Sequence, residues 1–188
     1  MPLNIGGGDA KPYIGFKASM NAWVQSSPEG NVEFSFDQPA LFDVHNLIMG
    51  WLKIDHMGRD WHPWPDVTTR IQNPSDEHKI GFQIDVTSNK MFGDEPNRQF
   101  AENTFGALQF IAALYEACEN ADEYKAGQNP LVKITGTEQR KVGKGNTRIP
   151  QFEIVGWSGD VVQSAPQTKP APKAEPAPAP APVADDEF

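Results

Sequence analysis

Three features of this chain predict a mainly β fold of the small-barrel kind. Short runs with a period of two recur between residues 11 and 157, Gly- and Pro-rich breakers separate them, and a single stretch carries a sustained helical period. Together they give five or six strands, one helix between the fourth and fifth, and a closing hairpin.

The first ten residues, with Gly6, Gly7 and Gly8 in a row, read as a flexible arm, because consecutive glycines restrict the backbone least. No helix follows the triple glycine, so it is no phosphate loop. Over residues 11–24, "KPYIGFKASMNAWV", aromatic and β-branched residues predict a strand, bent at Gly15. "SSPEGN" turns the chain, and "VEFSF" puts Val32, Phe34 and Phe36 on one face against Glu33 and Ser35 on the other. "ALFDVHNLIMGWLKIDH" is ambiguous between helix and strand. Its second half favours a strand, with Trp51, Lys53 and Asp55 alternating against Leu52, Ile54 and His56. "MGRDWHPWPDVTTRIQNPSDEH" follows as a long loop, and a connection of that length inside a compact domain either has a job or is disordered.

"KIGFQIDVTS" is the cleanest strand, with Ile80, Phe82, Ile84 and Val86 inward. The helix is expected over residues 97–119, where Phe100, Phe105, Leu108, Ile111, Ala112 and Tyr115 recur at helical spacing. "LVKITGTEQRKVGKGNTRIPQFEIVGW" then reads as a hairpin, with strands over 131–139 and 149–157 and a glycine-rich turn between them. Among small barrels, an OB-fold-like five-stranded barrel with one inserted helix accommodates this order. The domain is expected over residues 11–160, preceded by the arm at 1–10 and followed by a disordered Pro-rich linker with an acidic tip over 161–188.

Composition narrows the function classes. At 188 residues and 38% apolar content the chain fits one domain plus a tail. Setting aside roughly 25 tail residues leaves ~160, enough for one core. No apolar run approaches the ~20 residues that span a bilayer, so no membrane partner is expected. The start lacks the basic and apolar regions of a secretion signal. Cys118 is the only cysteine, which excludes an internal disulfide and a cysteine-built zinc site. Its place in "FIAALYEACENA" predicts a small buried thiol, and the expected compartment is the cytoplasm. Net charge is −9, and the residues before 165 carry 14 basic against 21 acidic groups. Such a body disfavours indiscriminate nucleic-acid binding, so that function would need a local basic patch.

Two segments supply candidates. Lys133, Arg140, Lys141, Lys144 and Arg148 face only Glu138 over residues 133–148, a local +4, with Gly143 and Gly145 freeing the tip to swing cations onto phosphates. In "GWLKIDHMGRDWHPWPD", Trp51, Trp61 and Trp64 with Lys53 and Arg59 fall within 14 residues. Unpaired bases need flat apolar faces, worth ~1–3 kcal/mol per base, and cations for the backbone. The competing role for these indoles is to plug one end of the barrel. Asp55, His56, Asp60 and His62, with Asp85 or Asp66, are the right types for a metal site, but their spacing matches no zinc signature. No nucleophile elbow or Walker sequence is present, so neither an enzyme, a metal nor a cofactor is expected.

The end of the chain is the third candidate. Residues 165–182 hold seven Pro and six Ala, a composition that extends rather than packs, reaching on the order of 50 Å at ~3.1 Å per residue. Asp185, Asp186 and Glu187 would meet a basic groove on a partner, and Phe188 would fill an apolar pocket beside it. An acidic solubilising tail explains those charges but not the terminal aromatic.

A barrel body, a Pro-rich linker and the ending Asp185-Asp186-Glu187-Phe188 together resemble the single-stranded DNA-binding proteins of bacteria and their phages. The ending departs from the bacterial pattern, which has more Asp and an Ile-Pro before the Phe. The resemblance implies a partner-docking role for Asp185 to Phe188, recruiting replication, recombination and repair proteins, in a host cytoplasm if the chain is phage-encoded. It also implies single-stranded DNA as the ligand and allows a homo-oligomer. The competing expectations are an adaptor that binds no nucleic acid and, more remotely, a metal-dependent nuclease.

Overall fold

The computed structural model describes residues 11–56 and 58–159, so the arm at 1–10 and the Pro-rich segment with its Asp185, Asp186, Glu187 and Phe188 tip lie outside the described residues. The strands are β1 (Tyr13–Lys17), β2 (Ala22–Ser27), β3 (Gly30–Phe34), β4 (Ala40–Phe42), β5 (Ile48–Asp55), β6 (Gly58–Pro63), β7 (Lys79–Thr87), β8 (Asn97–Glu102), β9 (Gln128–Val142) and β10 (Gly145–Gly159). Among the described residues three α-helices accompany them, α1 (Asn89–Phe92), α2 (Phe105–Glu119) and α3 (Asp122–Lys125), with one short 3-10 helix at Val44–Asn46. The fold is mainly β, as expected.

β7 is the spine of the sheet. Along one edge it pairs antiparallel with β8. Along the other, two strands follow one another: β5 against residues 79–83 and β4 against Val86 and Thr87. The far side of β5 carries β6, and the far side of β4 carries β9, which is zipped to β10. Beyond β8 comes β1, parallel to it, and then β2 and β3 as an antiparallel meander. The described residues thus form one curled, open sheet of ten strands where five strands in a barrel were expected. β1 accounts for much of the difference, since it takes the free edge of β8 that would otherwise be available for closure.

Three boundaries also differ from expectation. The single bent strand over residues 11–24 is two strands, and the reversal falls at 18–21, where Asn21 takes φ 53°. Asparagine tolerates that left-handed geometry better than most residues. The long loop begins with a real strand, β6, whose partner β5 lies immediately before it in the chain. The expected helix over 97–119 is shorter: its first six residues are β8, and α2 starts only at Phe105. Phe100 mimics the helical period, yet it faces Ile84 across the ladder, because pairing on both edges of β8 outweighs a weak local preference.

The inward parity of β7 is as predicted for Phe82, Ile84 and Val86, which are at most 1% exposed. Trp23 fills the centre, 4.9–5.4 Å from the rings of Phe16, Phe36 and Phe100. α2 closes the cup by presenting Ala107, Phe110, Ile111, Leu114 and Cys118, spaced three and four apart so that they share one face. Phe110 meets Phe152 of β10 edge-on at 5.5 Å, which fixes the helix against the hairpin. Burying each such phenyl ring contributes on the order of 2–3 kcal/mol.

Candidate nucleic-acid interface

In the β5–β6 ladder Trp51 opposes His62, Leu52 opposes Trp61, Lys53 opposes Asp60 and Ile54 opposes Arg59. Opposed residues share a face. One face therefore carries Trp51, Lys53, Asp60 and His62, and the other carries Leu52, Ile54, Arg59 and Trp61.

Residues 64–78 return across the first face. Trp51 Nε1 donates to the carbonyl of Ile71 at 2.9 Å, and the Trp64 amide donates to the carbonyl of Met49 at 2.8 Å. The two indoles meet nearly edge-on at 5.9 Å, and Arg70 lies 5.7 and 5.4 Å from their centroids. Both are only 9% exposed, so Trp51 and Trp64 plug the end of the sheet and offer no open face to a base in this conformation. Their cation is Arg70, not Lys53. Lys53 pairs instead with Glu77 at 2.5 Å and Asp55 at 3.4 Å, and the Glu77 hydrogen bond leads the contributions that raise its pKa.

The second face is different. Arg59 lies over the Tyr13 ring at 5.1 Å, with its guanidinium 3.5 Å from Gln99 Oε1, so β6 reaches across β8 to β1. The Tyr13 hydroxyl in turn donates to the side-chain oxygen of Asn31 on β3. Trp61 is half-buried beside Gly50, where an added Cβ would come within 2.9 Å of its ring and 2.6 Å of the His62 carbonyl. Glu102 lies inward of these groups and is buried, its carboxylate 4.0 Å from Lys17 Nζ. Burial raises its pKa, opposed by Lys17, Arg59 and the Phe16 amide.

The basic hairpin is more regular than its sequence predicts. Pairing continues to Val142–Gly145, so the turn is only Gly143–Lys144, with Gly143 at φ 58° supplying the backbone geometry of a tight two-residue connection. Arg140, Lys141 and Lys144 are exposed at this tip, with Arg140 held 3.6 Å from Glu138. Arg148 serves another purpose: half-buried, it donates from Nη1 to the carbonyl of Ala18 at 3.2 Å. Thr137 adds a 2.8 Å hydrogen bond to Asn21, so two contacts tie the hairpin to the β1–β2 turn. Lys133 is exposed but opposes Glu153, and eight residues of strand put it ~26 Å from Lys141.

The structure therefore brings Arg59 and Trp61 onto one face, and Arg140, Lys141 and Lys144 onto one tip. It sets Lys53, Lys133 and Arg148 apart from these groups, and Trp51 and Trp64 beneath a lid. Sequence reasoning missed Tyr13, Lys17 and Gln99. The alternation of Tyr13, Gly15 and Lys17 against Ile14 and Phe16 was the available signal, whereas nothing in the sequence marks Gln99 or the return of Arg70. Of the six candidate metal donors, Asp85 holds Lys11 at 2.5 Å. Asp66 accepts bonds from Thr68 and Thr69 that lower its pKa. Only Asp60 and His62 converge, and they do so with His78, which the spacing did not reveal.

Comparison with family models, with curated proteins and with solved structures finds no match to this chain, so its chemistry rests on its own residues.

Proposed function

We propose that the protein binds single-stranded DNA across the outer face of β7, β8 and β1, between the Trp-containing loop and the β9–β10 tip. The observation that carries this reading is the connectivity. Taking β4–β5 as one broken first strand, it pairs with β7 and with β9, α2 lies between β8 and β9, and β9–β10 form the last hairpin. This order is compatible with an OB barrel left open, since β8 and β10 are not paired among the described residues. In an OB-fold the face of the second and third strands and the loops after the first and fourth take up oligonucleotides. Here those segments are residues 58–78, including β6, and the Gly143–Lys144 turn, the two singled out by aromatic and basic content. The β1–β3 meander is an addition beside β8.

On this reading Tyr13 and Trp61 stack on bases, while Arg59, Lys17, Lys141 and Lys144 neutralise phosphates. Trp51 and Trp64 hold the loop in place. The acidic tip at Asp185 to Phe188 recruits partner proteins, a role supported by the sequence alone.

Titrating the protein with oligo-dT, with a matched duplex alongside, tests the proposal. Three or four phosphate contacts give a log–log salt slope of about −2 to −3. Trp61→Phe should remove most of the fluorescence change, and Lys141→Glu with Lys144→Glu should weaken binding and flatten the slope. Absence of any oligo-dT binding at low salt refutes the reading. Equal binding by the charge-reversed hairpin refutes the tip's part in it.

A further inference from the structure

We propose that Asp60, His62 and His78 form a binding site for a divalent transition metal of the zinc class, clamping the long loop to the β5–β6 hairpin. Asp60 and His62, two apart on β6, project to the same side of the strand. His78 immediately precedes β7, at the far end of the loop that begins after Pro63. One ligand atom from each of the three lies within 4.8 Å of the other two.

The carboxylate already bridges the rings. Asp60 Oδ2 is 3.1 Å from His78 Nε2, and Asp60 Oδ1 is 3.2 Å from His62 Nε2. Metal–ligand bonds of ~2.0–2.2 Å in a tetrahedral arrangement need neighbouring ligand atoms ~3.3–3.5 Å apart. The two separations run to different oxygens, so with Asp60 ligating through Oδ2 alone the distance to His78 is already close to the required value, while His62 has to move towards that same oxygen. The remaining adjustment falls to His62, whose side chain is 43% exposed and has room to turn.

His78 is 7% exposed and its ring is fixed from behind: Ser75 Oγ lies 2.8 Å from Nδ1. A metal-ligating histidine characteristically has its second nitrogen held this way. In the Nε2–H tautomer the ring donates to Asp60 and its Nδ1 accepts from the Ser75 hydroxyl. With metal on Nε2, the proton resides on Nδ1, and the hydroxyl rotates to accept it. No heavy atom of that pair needs to move. Two imidazoles and one carboxylate suit zinc, cobalt or copper rather than calcium or magnesium, which take oxygen donors. Asp60 and His62 face solvent, so water completes the coordination.

The site goes beyond nucleic-acid binding and is tested without it. Full-length protein stripped with a chelator is titrated with Co(II), whose visible bands are intense in four- or five-coordinate sites and faint in octahedral ones. The expected result is an intense spectrum saturating at one cobalt per chain and displaced by zinc. At a hundredfold excess over Kd, zinc should raise Tm by about 5–10 °C. Asp60→Asn and His62→Asn should each abolish both effects while keeping the wild-type circular dichroism, and His56→Asn should retain them. The two exposed ligands carry the test because replacing buried His78 risks unfolding. A faint spectrum throughout, or wild-type binding by Asp60→Asn and His62→Asn, overturns the proposal.

Discussion

Gly106 is the second residue of α2, and a Cβ added there would lie 2.1 Å from the carbonyl oxygen of Arg148 on β10. Helix propensity and packing disagree about what Gly106→Ala should do. Alanine is favoured over glycine in a helix by up to ~1 kcal/mol, so the isolated helix would gain. Ordinary contact begins near 3.4 Å, so the start of α2 would have to move away from β10 by about 1.3 Å. The obstacle is backbone, which cannot swing aside as a flexible side chain can. Overpacking of this kind costs ~1–3 kcal/mol, and lifting α2 also loosens Phe110 from Phe152. The packing term wins, for a net loss of ~1–2 kcal/mol and a fall in Tm of about 2–4 °C per kcal/mol. Urea unfolding followed by circular dichroism and by tryptophan emission reads the midpoint directly. Gly145→Ala, whose nearest neighbour to an added Cβ is 3.9 Å away, should be close to neutral. A Gly106→Ala midpoint at or above wild type would refute the packing argument and show that propensity decides at this position.

Glu102→Gln should stabilise the fold at neutral pH. Its folded pKa is raised, so the folded state binds the proton more tightly than the unfolded chain. The penalty for the buried charge is full above the raised folded value, and it is relieved as pH falls from there towards the unfolded one. The variant's advantage, read from unfolding midpoints, should therefore shrink across that same interval. Cys118 is fully buried and its thiol is pushed up to about 11 by burial, so the native protein should not react with a disulfide reagent at pH 8, while the urea-unfolded protein reacts once per chain. Arg148→Ala removes a charge-assisted hydrogen bond to Ala18, worth ~1.5–3 kcal/mol when well buried and less at this half-buried site. Its signature is faster amide exchange in the β1–β2 turn and the adjoining hairpin, with exchange in β7 unchanged.

How much was legible follows from where each signal resides. β7 alternates because one face meets the core and the other does not, so "KIGFQIDVTS" disclosed its register. β6 has the same length as many readable strands, yet Pro63, His62 and Asp60 give it no apolar face to count. Its existence depends on β5 lying alongside, which is information outside the segment. The helix boundary failed for the reverse reason, since Phe100 fits the helical period and the chain gives no local cue that β7 and β1 will claim it. For the candidate site, residue types were visible and their neighbours were not. Trp51, Trp64 and Lys53 have the composition of a binding face, but Arg70, Ile71 and Glu77 return from the loop to occupy them. The basic tip stays exposed because a two-residue turn at the end of a long ladder has few neighbours able to reach it.

On the proposed reading, charge alone cannot account for affinity in this chain. At the tip Arg140 is partly neutralised by Glu138, leaving Lys141 and Lys144, and on the sheet face Lys17 is set against Glu102. Acids elsewhere on the body act weakly at physiological ionic strength, where the screening length is ~8 Å, so they do not veto binding. They do not help it either. A few phosphate contacts that weaken with salt must then be joined by stacking, which contributes ~1–3 kcal/mol per base and changes little with salt. The consequence is an ordering that reverses with conditions. At low salt the charge-reversed hairpin should lose more affinity than Trp61→Ala or Tyr13→Ala. As salt rises the lysine contributions fade, and the aromatic variants become the more damaging.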